Sequence, residues 1–312
     1  MSEITPIIDV HHHAISPAVR EALLAQFKQI IKSPAELPEW TLKRDREAMQ
    51  RLGITGALLS MPGSGTPAEV HAFNTLLAET SREDPQHYGF LANLPSGDTE
   101  AALREIAYVL DTLQGDGFAL PSNYRGIYLS DERMDAILAE LNRRSAVVFV
   151  HPGPPAGNDL PLFGRDVSVY EFPFDTTRAM MDLIYTGKLA RYSQIRWIVA
   201  HAGGTIPFLA YRLSIASEWR GITQAPEEVL AALRTLYYDL ALSTSPAVFQ
   251  ALQAVADPSH ILFGSDFPMR PEQGVAQSLE QFSEYPGFQA SEQRLITAET
   301  AQALFPRFRK TA

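Results

Sequence analysis

The chain has no cysteine. Disulfides and thiolate metal sites are therefore excluded, and any bound metal must be held by nitrogen and oxygen. No apolar run approaches the ~20 residues that a membrane-spanning helix requires. The N-terminus, MSEITPIIDV, lacks a basic stretch followed by an apolar one, so no secretory signal is expected. The expectation is a cytoplasmic protein without a membrane partner. Positive charge is also in deficit: 26 Lys and Arg face 36 Asp and Glu, for a net charge of -10. That balance argues against a nucleic-acid partner, which would need a clustered basic surface. Lysine is absent between Lys43 and Lys188, and arginine is absent from residues 21–42. There is no internal repeat, low-complexity segment or linker-like shift in composition, so one domain over 1–312 is expected.

Short apolar runs alternate with amphipathic stretches from end to end. The predicted strands are IIDVHHH (7–13), GALLSMP (56–62), YGFLANLP (88–95), GFALPSN (117–123), AVVFVHP (146–152), IRWIVAH (195–201), LYYDLAL (236–242) and ILFGSDF (261–267). Continuous apolar strands of this length suit burial on both faces. Helical periods lie between them, several opening on a Ser, Thr or Asp that can cap the first turn. An open doubly wound sheet would place G-x-G-x-x-G after its first strand, where this chain has HHHAIS. The pattern predicts an α/β fold, a (β/α)8 TIM barrel with extra helices and loops at its C-terminal face. Two connections are long, residues 14–42 and 153–175, and both would lie over that face.

Five polar side chains close four of these strands: His11 and His13, His151, His201 and Asp266. A parallel barrel brings strand ends to one rim, where these residues make a ligand set for a divalent metal. In a strand, residues i and i+2 share a side, so His11 and His13 can bind together while His12 faces away. His151 and Asp266 complete the set, leaving His201 as the acid/base residue near a metal-bound water. Spacing alone leaves open the exchange of His151 and His201. Strands two to five contain no lysine, so they cannot supply a bridging carboxylated lysine, and a single Zn²⁺ or Mn²⁺ is expected. His87 and His260 precede strands and His71 falls within a helix, so all three are expected to be structural.

D-V-H-x-H at Asp9–His13, V-F-V-H-P at the fifth strand, A-H-A-G-G-x-x-P-F at the sixth and L-F-G-S-D-F-P at the eighth resemble the amidohydrolase superfamily. More narrowly, they resemble its aminocarboxymuconate-semialdehyde decarboxylase branch. The resemblance runs through essentially the whole chain. It implies a metal barrel, commonly a homodimer or homotetramer, with His11, His13, His151 and Asp266 as ligands and His201 as the proton-transfer residue. It also implies that Arg212 reaches the substrate carboxylate of a neighbouring subunit. The lack of arginine in 21–42 disfavours a dicarboxylate and favours a salicylate-type acid. Aromatic residues crowd the loops expected over the rim (Trp40, Tyr124, Phe163, Tyr170, Phe172, Phe174 and Phe267), and Phe172 is the chosen pocket residue.

The expected reaction is metal-dependent, non-oxidative decarboxylation of a small aromatic or semialdehyde carboxylic acid without an organic cofactor, with Asp266 or His201 as the catalytic proton carrier. The same ligands would also serve hydrolysis of a lactone or amide by metal-activated water. A metal-bearing binding protein without turnover would lack the proton-transfer residue, and here both His201 and Asp266 are present.

Overall fold

The computed structural model describes residues 6–17, 19–21, 39–157, 160–219 and 221–309. All eight predicted strands form, and neighbours in sequence are neighbours in space. They are β1 (Ile8–His13), β2 (Gly56–Ser60), β3 (Tyr88–Ala92), β4 (Gly117–Pro121), β5 (Val147–His151), β6 (Arg196–Val199), β7 (Tyr237–Asp239) and β8 (Ile261–Leu262). Every pairing between consecutive strands is parallel. Backbone hydrogen bonds bring the last strand segment onto the first: Val10 N–H donates to Phe263 O at 3.1 Å, Asp266 N–H to His11 O at 2.9 Å and His13 N–H to Phe267 O at 2.7 Å. The (β/α)8 expectation holds.

A helix follows each strand: α1 (Leu42–Leu52), α2 (Pro67–Glu83), α3 (Thr99–Ala107), α4 (Asp135–Arg143), α5 (Glu171–Tyr185), α6 (Ile206–Ser214), α7 (Pro246–Val255) and α8 (Glu272–Glu284). Their starts follow from the sequence. Thr41, Asp98 and Ser245 accept an amide hydrogen bond from the first turns of α1, α3 and α7. Thr66 and Glu69 form a reciprocal capping box on α2.

The core has two parts. A larger shell packs helices against strands and includes Tyr88, Phe118, Leu138, Met180, Tyr238 and Phe249. A smaller cluster joins Ile8, Val10, Leu58, Leu91, Phe149, Ile198 and Leu262 to Leu304, Phe305 and Phe308 of the C-terminal segment. Glycine lets that segment approach the strand starts: a Cβ at Gly56 would lie 2.9 Å from the Phe308 ring.

Two elements differ from the sequence reading. α5 begins at Glu171, so Phe172–Asp175, expected in a loop, lie in its first turns. Pro173 does not prevent this, because first-turn amides have no intrahelical acceptor. β8 stops at Leu262 because Phe263 N–H turns instead to Ile296 O and Asp266 adopts a positive φ of 61°. The first long connection, 14–42, lies largely outside the described residues.

Candidate metal centre

β1 carries a register shift between Asp9 and His12. The irregularity lets Val10 join the inner apolar cluster while the next residue, His11, still points to the centre of the rim. Four imidazoles then converge. The His11 ring centroid is 5.0 Å from His13, 5.1 Å from His151 and 4.9 Å from His201. Asp266 joins them: its Oδ1 lies 2.9 Å from His13 Nε2 and 3.4 Å from His11 Nε2. Ligand atoms of His11, His151, His201 and Asp266 all fall within 4.8 Å of one another. His13 is outside that quartet, although its Nε2 is 3.2 Å from His11 Nε2.

The outer nitrogens separate these histidines. His11 Nδ1 is 2.9 Å from Asp239 Oδ2, His13 Nδ1 is 3.2 Å from Ser60 O, and His151 Nδ1 is 2.8 Å from Pro152 O. Each oxygen can take the Nδ1 proton, which leaves the Nε2 lone pair directed inward. This is the arrangement of a metal-ligating histidine oriented from behind. His201 differs: neither of its buried ring nitrogens has a hydrogen-bond partner among the described residues, and Nε2 is 3.8 Å from Asp266 Oδ2.

Protonation follows the surroundings. Burial, reinforced by the neighbouring imidazoles, holds His151 well below its ordinary pKa. Burial also lowers His13, against the pull of Asp266. Burial opposes charge on His11, but Asp239 and Asp266 outweigh it and raise the imidazole to about 10. Burial likewise opposes the Asp266 carboxylate, yet hydrogen bonds from His11 and His13 keep it well below the usual carboxylate range. His13 and His151, kept neutral by burial, and two buried carboxylates that hold a proton on His11 make a nitrogen-and-oxygen site, and a divalent metal that displaces that proton fits the donors present.

Local backbone features serve this convergence. His201, Ala202, Gly203 and Gly204 all have positive φ, so the chain turns sharply after β6. A Cβ at Gly204 would sit 2.2 Å from Pro173 O, which makes glycine obligatory there. Gly264 has a parallel role: a Cβ would come within 2.9 Å of His11 Cβ and 3.1 Å of Asp239.

A sequence model of the amidohydrolase family matches residues 8–307. The chain belongs to the amidohydrolase family. Among curated relatives of this amidohydrolase, a 6-methylsalicylic acid decarboxylase from Penicillium expansum is 36% identical over 316 residues, covering 97% of each chain. Another 6-methylsalicylic acid decarboxylase, from Aspergillus aculeatus, is 37% identical over 324 residues, again covering 97% of each. Among solved structures, a 5-carboxyvanillate decarboxylase from Novosphingobium aromaticivorans, complexed with manganese and 4-hydroxy-3-methoxy-5-nitrobenzoic acid, superposes with a TM-score of 0.84 at 18% identity. That match covers 98% of this chain and 97% of the other, and it supports the shared fold.

The remaining sequence candidates of this amidohydrolase separate clearly. Phe172 reaches the rim, its ring centroid 6.4 Å from that of His151. Other proposed rim aromatics do different work: Phe163 is 84% exposed, Tyr124 is buried, and Trp40 donates its indole N–H to Asp45 at 2.7 Å. Arg212 lies on the exposed face of α6, its guanidinium 5.7 Å from the Trp219 ring. The three histidines expected to be structural have local partners: His71 with Glu105, His87 with Asp84, and His260 stacked on Tyr237.

Sequence reading missed Asp239. One of its oxygens meets His11, and the other accepts from the His201 and Ala241 backbone amides at 3.0 and 2.9 Å. The available signal was a lone carboxylate at the end of the apolar run LYYD. Asp9, Asp45 and Ser265 were also missed. Among the described residues, no helix is long and apolar enough to cross a membrane.

Proposed function

We propose that this amidohydrolase is a metal-dependent, non-oxidative decarboxylase of a small aromatic acid, with an ortho-hydroxybenzoate of the 6-methylsalicylate kind as the favoured substrate. The carrying observation is the rim cluster of four imidazoles and Asp266, in a chain that aligns almost end to end with two 6-methylsalicylic acid decarboxylases. His11, His13, His151 and Asp266 would hold one divalent ion. The manganese in the similar fold supports Mn²⁺ alongside Zn²⁺ as the candidate ions. His201 would remain free for proton transfer. What supports that division is the Nδ1 pattern: the three proposed ligand histidines are oriented from behind by an oxygen, whereas His201 is not.

Bound metal would supply Lewis-acid charge stabilisation for the substrate carboxylate and adjacent hydroxyl. The chain supplies the rest. Phe172 covers one side of the ring and limits water access. His201, or Asp266 once it has itself taken up a proton from solvent, delivers a proton to the ring carbon that carries the carboxylate. The bond from that carbon to the carboxyl carbon then breaks, its electron pair restores the aromatic ring, and carbon dioxide leaves.

We place the protein in the cell as a single-domain subunit of a homodimer or homotetramer. Phe208 is 85% exposed and Tyr211 is 77% exposed on the helix that bears Arg212, which supports an interface there. Arg212 would then serve the partner's substrate carboxylate.

The test is carbon dioxide release from a panel of salicylate-, resorcylate- and semialdehyde-type acids, with metal-replete and chelated protein. Release that stops on chelation is the expected result. No release from any acid, together with turnover of a lactone or amide panel, would replace this reading with metal-dependent hydrolysis.

A further inference from the structure

Asp266 reaches His13 and His11 from a backbone conformation that aspartate rarely adopts, with φ of 61°. β8 ends at Leu262, but backbone pairing with β1 continues past it: Asp266 N–H donates to His11 O at 2.9 Å and His13 N–H to Phe267 O at 2.7 Å. Those bonds hold the main chain on either side, and the Ser265 side chain adds a second fastening to the turn between them.

Ser265, the preceding residue, is held twice by one carboxylate. Its N–H donates to Asp9 Oδ1 at 3.0 Å and its hydroxyl donates to Asp9 Oδ2 at 2.5 Å. The hydroxyl has one hydrogen, and Asp9 takes it. Its lone pairs are thereby turned to the following residue, where Phe267 N–H donates to Ser265 Oγ at 2.9 Å. The Ser265 side chain therefore bridges Asp266, fastened to Asp9 on one side and to Phe267 on the other. Asp9 Oδ1 also accepts from His11 N–H at 3.1 Å, so the same carboxylate ties both halves of the rim cluster.

Asp9 is itself fixed. His12 Nδ1 lies 2.8 Å from Asp9 Oδ2 and its Nε2 lies 2.9 Å from Asp45 Oδ1. A ring that meets a carboxylate at both nitrogens donates from both. Asp45 is closed off by the Trp40 indole and the Tyr88 hydroxyl, each at 2.7 Å.

We propose that Asp9, acting through the Ser265 hydroxyl, is the positioning residue that aims the Asp266 carboxylate into the metal centre. The inference rests on the role given to Asp266 under Proposed function, and it adds an assignment for a buried carboxylate that does not itself face the substrate.

The test uses Ser265→Ala and Asp9→Asn, with Tyr88→Phe as a control that removes a hydrogen bond at the far end of the same network. Each protein is stripped of metal and titrated with Mn²⁺ by calorimetry. Thermal midpoints of the metal-free forms, kcat and KM are measured in parallel. Ser265→Ala and Asp9→Asn are expected to bind Mn²⁺ roughly 10–100-fold more weakly. Their kcat should fall more than KM rises, while Tyr88→Phe loses only thermal stability. The proposal is overturned if Ser265→Ala binds Mn²⁺ as tightly as the unaltered protein, or if Tyr88→Phe weakens binding as much as Ser265→Ala does. Asp266→Asn separates this inference from the one beneath it. Should that variant also bind Mn²⁺ normally, the ligand assignment fails. A crystal structure of Ser265→Ala then decides the positioning: Asp266 moved off its positive φ upholds it, and Asp266 unmoved overturns it.

Discussion

Three consecutive histidines on β1 meet two opposite environments. His11 and His13 point into the rim cluster, where inward nitrogens face one another at 3.2 Å and share one carboxylate. His12 points the other way, and each of its nitrogens has a carboxylate of its own. Both environments are buried and rich in charge. They differ in whether the donors and acceptors are matched. Behind the strand, Asp9, His12, Asp45, Tyr88 and Trp40 satisfy one another, as a structural network must. In front, the inward nitrogens of three histidines converge on one carboxylate, and His201 has no hydrogen-bond partner among the described residues. A buried polar cluster left incomplete by the protein is a place for something the protein binds.

The sharpest way to break this comparison is to exchange the loss between neighbours. His13→Ala should lose bound metal and all measurable turnover, as chelation of the intact protein should, and metal analysis of the purified variant checks it. His12→Ala should lose thermal stability while weakening metal binding far less than His13→Ala does, because it acts on the centre only through Asp9. Equal metal loss in both variants would erase the distinction between the two faces. His201→Ala is the next largest effect. Metal should be retained while kcat falls by about 10²–10⁴-fold, the usual contribution of a positioned acid or base. A metal-free His201→Ala protein would instead place His201 among the ligands, with His11, His151 and Asp266 of the 4.8 Å quartet.

The front of this comparison was far more legible in the sequence than the back. Strand-end residues stand out because a His or Asp breaks an otherwise apolar run, as in VVFVH and ILFGSD, and parallel strands deliver such ends to one rim. Barrel order was legible for the same reason, since every strand was short, apolar and followed by a helical period. The back was hidden because its partners lie far apart in the chain: Asp9 meets Ser265, and His12 meets Asp45, only once the barrel closes. Asp239 was hidden as well, because its place behind His11 depends on two strands separated by 228 positions. α5 starts before the amphipathic period at Thr176 because Pro173, within the first turn, costs no hydrogen bond. The aromatic loops misled in another way, since composition places Phe163 and Phe172 together and only the fold separates them.

A smaller effect tests the claim that the back network is complete. Burial opposes charge on Asp45, but His12, Tyr88 and Trp40 hold its carboxyl below the ordinary value. A depressed acid contributes stability that is present above the unfolded-state pKa, about 3.9, and is lost as pH falls through the folded value. Asp45→Asn should therefore cost ~3–5 kcal/mol at neutral pH, as expected for removing one partner of a buried ion pair. Denaturant unfolding at several pH values checks the sign: the gap between variant and unaltered protein should narrow below about pH 4. A gap independent of pH would mean that Asp45 acts by packing alone.

The smallest effect concerns the pocket wall, where two phenylalanines nine residues apart should behave differently. Phe172 is half-buried against His151, so Phe172→Ala removes apolar surface that substrate would share. Half the burial value of such a ring is about 1 kcal/mol, or roughly a fivefold rise in KM. Phe163 is exposed, and its removal should leave KM and stability within about 0.5 kcal/mol of the unaltered protein. Steady-state kinetics on the preferred acid compares the two directly. A KM response at Phe163 as large as that at Phe172 would mean that the loop before α5 folds onto bound substrate, and the pocket wall would then extend beyond the residues that touch the imidazoles.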